Sequence, residues 1–113
     1  MSGHDNTKIG KFPTLEMLVA ELERIDAEHH RLHADDVDDA TIEPVYERHW
    51  ALRALINATP ARCPSGLRAK DRAAQIATAL DPDFACHVPG SARELTKSLA
   101  DDALAIMGCA QPS

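Results

Sequence analysis

In the first half of the chain a stripe of residues recurs at Leu15, Leu18, Leu22, Ile25, His29 and Leu32, and again at Ile42, Val45, His49, Leu52, Ile56 and Thr59. Each series steps by 3, 4, 3, 4 and 3 residues. That rhythm keeps every member on one side of an α-helix and does not fit a strand, whose side chains alternate between faces. Two such stripes in the same phase, separated by a short run of aspartates, predict an antiparallel helical hairpin closed along an a/d-type seam. In it Leu32 faces Val45, Ile25 faces Leu52, Leu22 faces Ile56, Leu18 faces Thr59, and His29 lies beside His49.

Boundary signals extend this reading along the chain. Thr14, after Pro13, is the expected cap of a first helix over residues 15–33. The aspartates of "ADDVDDAT" suit a helix N-terminus; a calcium loop is excluded because the D-x-D-x-D-G rhythm and the distal glutamate are missing. Thr41 is the expected cap of the second helix, with Pro44 in its first turn and an end near Ala58, since Pro60 pushes Thr59 out of helical geometry. Cys63 takes the cap position and Pro64 the first helical position of a third helix over 65–80. Gly66 and the stripe Leu67, Ala73, Ala74, Ile76, Ala77 and Leu80 predict close packing against the second helix. A loop follows, with Phe84 and Val88 turned inward. Ser91 with Glu94 forms a capping box for a fourth helix ending at Gly108.

The expected fold is therefore all-α: an antiparallel helical hairpin with two shorter helices packed on it, resembling a four-helix bundle. Residues 1–13 form a flexible tail and 14–108 a single helical domain. The composition agrees, because 44% of the 113 residues are hydrophobic while aromatics amount to one Trp, one Tyr and two Phe; sheets favour more aromatic and β-branched residues.

Charge and cysteines narrow the class. The formal net charge is −6. Residues 14–40 carry nine acidic and two basic side chains, which disfavours a nucleic-acid contact there. Residues 60–80 reverse the balance with Arg62, Arg68, Lys70 and Arg72 against Asp71. No run of 18 apolar residues is present for a membrane span, and the N-terminus lacks a signal-peptide core. Three cysteines without a C-x-x-C pair read as reduced thiols of a cytoplasmic protein.

At "INATPARCPSGLRAK" and "ELTKSLADDALAIMG" the chain resembles short bacterial all-helical proteins of unassigned function. These carry an I-x-x-x-P-A-x-T-x-x-G-L-x-x-K signature after a tryptophan-containing helix and a closing S-L-x-x-D. The matching residues are Trp50, Ile56, Pro60, Ala61, Gly66, Leu67, Lys70, Ser98, Leu99 and Asp102, within residues 40–107. Cys63 departs from the pattern, which has Thr or Ser at that place. The resemblance implies an all-helical fold and, for some members, a prophage or mobile-element setting. It brings no catalytic residues.

Three sets of residues are site candidates. Asp26, His29 or His30, and His33 share one side of the first helix, and His49 faces them. Imidazoles at i, i+4 can share a zinc or iron ion, so Asp26, His29, His33 and His49 are the candidate ligands. The second helix lacks the Glu-x-x-His of di-iron bundles. The favoured reading is a polar layer of His29 and His49 that sets the hairpin register, so no metal or cofactor is expected. Cys63 stands at a helix N-terminus beside Arg62, an environment that lowers a thiol pKa, with His49 or His87 as the available base. A capping role is favoured, and no enzymatic activity is expected. Arg68, Lys70 and Arg72 suggest a helix-turn-helix, but the turn is too long, and salt bridges, for example to the Asp35–Asp39 stretch of another molecule, are favoured.

Tyr46, Trp50 and Leu55 flank the second seam with more apolar surface than one helix covers. With Arg68, Lys70 and Arg72 they are the expected interaction residues. The expected function is a non-catalytic small helical protein acting through protein–protein interaction or self-assembly, a dimer first. The alternatives are a nucleic-acid-associated regulator using residues 62–72 and a metal- or redox-sensing bundle.

Overall fold

In the computed structural model, which describes residues 14–83 and 85–110, the chain forms four helices: α1 (Leu15–Ala34), α2 (Asp39–Ala58), α3 (Pro64–Leu80) and α4 (Ala92–Ala110). The expectations for residues 1–13 and for Phe84 lie outside the described residues. α1 packs along α2 and also on α3, while α4 packs on α3 and touches α2. The two longer helices make the expected antiparallel hairpin, and the 17-residue α3 and 19-residue α4 cover its flank. Among the described residues no helix is long and apolar enough to cross a membrane.

The seam closes as its period requires. Ile25, Leu32, Ile42 and Val45 form one buried cluster, with Leu52 and Val37 against it. Leu15, Leu18, Val19, Leu22 and Ile56 form another with Ala73, Ala74, Ile76 and Ala77 of α3 and with Ala92 and Leu95 of α4. Leu22, Ile25, Ile56 and Leu95 are fully buried, each worth about 1.5–3 kcal/mol relative to exposure. α3 packs chiefly on α1 and α4 rather than on α2 as expected. The nearest atoms around Gly66 accordingly belong to Ala61 and to Leu15 of α1.

The ends of the helices follow capping chemistry, with corrections. Thr14 Oγ1 accepts the Met17 N–H at 3.2 Å. α1 ends in a Schellman arrangement: the Val37 N–H donates to the Leu32 carbonyl at 3.4 Å and the Asp36 N–H to that of His33 at 3.1 Å. Asp36 takes the left-handed conformation at φ 57°, which aspartate tolerates better than most residues. The cap of α2 is Asp38, not Thr41. Asp38 Oδ1 accepts both the Thr41 N–H at 3.1 Å and the Thr41 hydroxyl at 2.6 Å. α2 thus starts earlier than expected, and Pro44 falls in its second turn. The carbonyl of Ala40, which Pro44 leaves without an N–H, lies on an exposed residue where water can serve it.

At the far corner α2 stops at Ala58, Cys63 holds the cap position without a side-chain cap bond, and Pro64 opens α3. Ser91 Oγ accepts the Glu94 N–H at 3.3 Å. Gly108 does not end α4, which runs to Ala110. Val88 is exposed rather than turned inward, while Gly90, two residues on, lies close against the α2 backbone.

Candidate functional site

The expected imidazole layer exists. His29 and His49 are both buried in the seam with ring centroids 6.3 Å apart. The centre of the polar network beside it, however, is Arg53, which the sequence reading left out. Arg53 is fully buried. Its Nε donates to the Gly90 carbonyl at 2.9 Å, and one terminal nitrogen (Nη1) donates to Asp81 Oδ2 at 2.9 Å and to His49 Nδ1 at 3.3 Å. Its guanidinium also lies 3.8 Å from the centre of the Trp50 ring, a cation–π contact. Asp81 Oδ1 accepts the Tyr46 hydroxyl at 3.0 Å.

Because a guanidinium can only donate, His49 Nδ1 is the acceptor and the ring proton sits on Nε2. That Nε2–H donates to Asp26 Oδ1 at 3.0 Å. The second carboxylate oxygen of Asp26 is 3.4 Å from His30 Nε2. The network therefore runs Asp26, His49, Arg53, Asp81, Tyr46 and ties α1, α2 and the loop after α3 together. The interaction residues Tyr46 and Trp50 are half-buried and serve this network, which leaves Leu55 as the exposed member of that trio.

Both seam histidines are held below the ordinary imidazole range. Burial is the main cause for each. For His29 the neighbouring His33 and His30 act in the same direction, against Asp26 and Asp81. For His49 the Arg53 charge and His29 add to burial, against the Asp26 hydrogen bond and charge. The unfolded chain takes up protons near pH 6.5 that the folded one refuses. Stability from this source is complete above that pH and falls as the pH drops below it. The melting temperature is therefore expected to be lower at pH 5.5 than at pH 7.5, with a shallower slope in His49→Gln; a flat profile would refute the coupling.

The four candidate metal ligands do not come together. Asp26 and His49 are bound to each other, to Arg53 and to His30. His29 and His33 instead line a separate groove with Asp39, Ile42, Glu43 and Tyr46. Among the described residues no three His, Cys, Asp or Glu side chains stand where one ion would touch them all.

The basic segment is also corrected. Lys70 is not available to a partner: it is fully buried, with Nζ 2.6 Å from Asp102 Oδ2 and 2.9 Å from Ser98 Oγ. Asp102 Oδ2 also accepts the Ala61 N–H at 2.9 Å, and the Ser98 hydroxyl donates to the Asn57 carbonyl at 3.2 Å. Arg72 pairs with Glu23 of α1 at 2.9 Å, and Arg68 is exposed. Ala61, Lys70, Ser98 and Asp102 thus meet in one clamp that holds the α2–α3 corner on α4.

Cys63 is exposed, and its thiol is pulled down first by the Ser65 hydroxyl at 3.2 Å and then by the Gly66 backbone. Ser65 in turn donates to Glu16 Oε2 at 2.7 Å. Neither expected base serves the thiol: His49 is taken up by Asp26 and Arg53, and His87 lies 3.9 Å from Glu94. Compared with known proteins, the chain matches no family model, no curated protein and no solved structure.

Proposed function

We propose that this chain is a non-catalytic cytoplasmic protein that acts by association, first of all with a second copy of itself, and that it derives from a phage or mobile element, as the resemblance implies. The observation that carries the reading is the outer face of α4. Leu104 is 67% exposed and Met107 55%, the two most exposed large apolar side chains among the described residues, and they lie close together on one helix. With exposed Ala100 they continue the 4, 3 spacing of a helix-pairing seam. α4 packs on α3 and α2, so this face points away from the bundle. Each large side chain covered by a partner helix contributes about 1.5–3 kcal/mol, set against the loss of free tumbling on association.

The basic segment offers little to a nucleic-acid partner. With Lys70 buried and Arg72 paired to Glu23, only Arg62 and Arg68 of the basic segment are left for a phosphate backbone, on an acidic chain. The lowered Cys63 thiol lacks the base that a nucleophile needs. The reading is tested by light scattering across a concentration series. A dimer is expected at tens of micromolar, and a monomer for the Leu104→Glu, Met107→Glu double variant with unchanged helicity. A strict monomer for the unaltered protein overturns it.

A further inference from the structure

The tip of the hairpin concentrates negative charge. Residues 35–43 hold Asp35, Asp36, Asp38, Asp39 and Glu43 and no basic side chain. The arginines closest in sequence are engaged elsewhere, Arg31 with Glu28 and Asp35, and Arg48 with Glu21. Asp39 and Glu43 are exposed and four residues apart on α2, so they share one helix face, one turn from each other. Among the described residues neither pairs with a basic side chain. They line a groove of about 380 Å³ together with His29 and His33 of α1 and with Ile42 and Tyr46. The His29 ring packs against His33 and Tyr46, with centroids 4.5 Å and 5.6 Å away. His29 is only 5% exposed, yet its Nδ1 has no hydrogen-bond partner, a costly state for a polar nitrogen unless a group from outside the chain meets it.

We propose that this groove binds an aliphatic diamine of the polyamine kind, with its ammonium groups at the Asp39 and Glu43 carboxylates and its hydrocarbon chain along Ile42 and Tyr46. The negative wall draws a cation and repels phosphates and carboxylates. A metal ion does not fit, because the donors do not converge on one point. A diamine does not ask them to converge: each ammonium needs one carboxylate, and two carboxylates one turn apart meet two charges carried by one short chain. The alkyl links cover apolar surface of Ile42, and an ammonium close to the Tyr46 ring gains a cation–π attraction. Burial keeps His29 neutral at physiological pH, so its ring offers a hydrogen-bond acceptor rather than a competing charge. The groove lies on α1 and α2 and is independent of any pairing through α4.

Putrescine dihydrochloride is the probe, titrated calorimetrically into tag-free protein at pH 7.5 and low salt, with the imidazole resonances of His29 and His33 followed by NMR. One putrescine per chain is expected, with saturable shifts of the His29 resonances. Butylamine, with one ammonium, and butanediol, with none, are expected to bind several-fold more weakly and not at all. Glu43→Gln and Asp39→Asn are each expected to weaken putrescine up to roughly fivefold, the factor that an exposed ion pair of about 1 kcal/mol represents. Asp101→Asn removes the same charge from an exposed position on α4 and is expected to leave binding unchanged. Absence of putrescine binding overturns the proposal. So does equal weakening by Asp101→Asn, which would mean diffuse attraction to an acidic chain, and so does butylamine binding as tightly as putrescine, which would mean a site for a single ammonium such as a partner's lysine.

Discussion

Asp102→Ala is expected to cost about 3–5 kcal/mol of folding stability, the scale for stripping the partner from a buried charge. The magnitude follows from what the Asp102 carboxylate serves. Its Oδ2 accepts from the fully buried Lys70 ammonium and from the backbone N–H of Ala61, also buried. Without it, Lys70 keeps only the Ser98 hydroxyl, and the Ala61 N–H is orphaned at the point where the α2–α3 corner meets α4. Lys70→Met is expected to cost less, because a straight apolar chain of similar length fills the same space, and Asp102, which is 14% exposed, can still reach water. Combining Lys70→Met with Asp102→Ala is expected to be less harmful than Asp102→Ala alone, since the double variant leaves no stranded ammonium. Urea denaturation of the two single variants and the double closes the cycle. A cost for Asp102→Ala below about 1 kcal/mol, the range of exposed ion pairs, would mean that Lys70 escapes to solvent and that the clamp does not hold the corner.

The fate of Lys70 shows what the sequence does and does not disclose. Gly66, Lys70, Ala73 and Ala77 step by 4, 3 and 4 residues, and all four are buried. The spacing alone therefore marked Lys70 as inward-facing, and only its charge argued for the surface. The same local period located both hairpin helices and put His29 and His49 in the seam, because a helical stripe depends on nothing beyond the next turn. Arg53 is the opposite case. The buried stripe of α2 runs His49, Arg53, Ile56, while Leu52 is only half-buried. What draws Arg53 inward is the Asp81 carboxylate and the Gly90 carbonyl, 28 and 37 residues further along. No pattern within α2 encodes those partners. The aspartate run was ambiguous for a different reason: Asp38 and Thr41 are both good caps three residues apart, and the structure uses one as the cap and the other as its donor. The groove of His29, His33, Asp39 and Glu43 needed the hairpin to be folded before its two walls could be seen to face each other.

Gly90→Ala is expected to destabilise the fold by roughly 2–5 kcal/mol, and the other glycines of the helical region supply the scale against which to read it. Gly90 has φ 89°, and a Cβ there would stand 2.7 Å from the Ala54 nitrogen and 2.9 Å from the Arg53 carbonyl carbon. Those atoms are backbone of α2 and have no rotamer to escape into. A side chain at positive φ costs about 1–2 kcal/mol and overpacking a further 1–3 kcal/mol. The displacement would also pull the Gly90 carbonyl from Arg53 Nε, so part of the loss falls on the network that holds His49. At Gly66 a Cβ would meet Ala61 Cβ at 3.3 Å and Leu15 Cδ1 at 3.6 Å. The gain in helix propensity of about 0.5–1 kcal/mol is there opposed by crowding, and Gly66→Ala should be close to neutral. Gly108 has no atom within 4 Å of such a Cβ, so Gly108→Ala should stabilise by up to about 0.5–1 kcal/mol. Urea midpoints of the three variants are expected in the order Gly108→Ala, Gly66→Ala, Gly90→Ala, from most to least stable. If Gly90→Ala proved as mild as Gly66→Ala, the Gly90 stretch would not be seated on α2, and Arg53 Nε would have to find another acceptor.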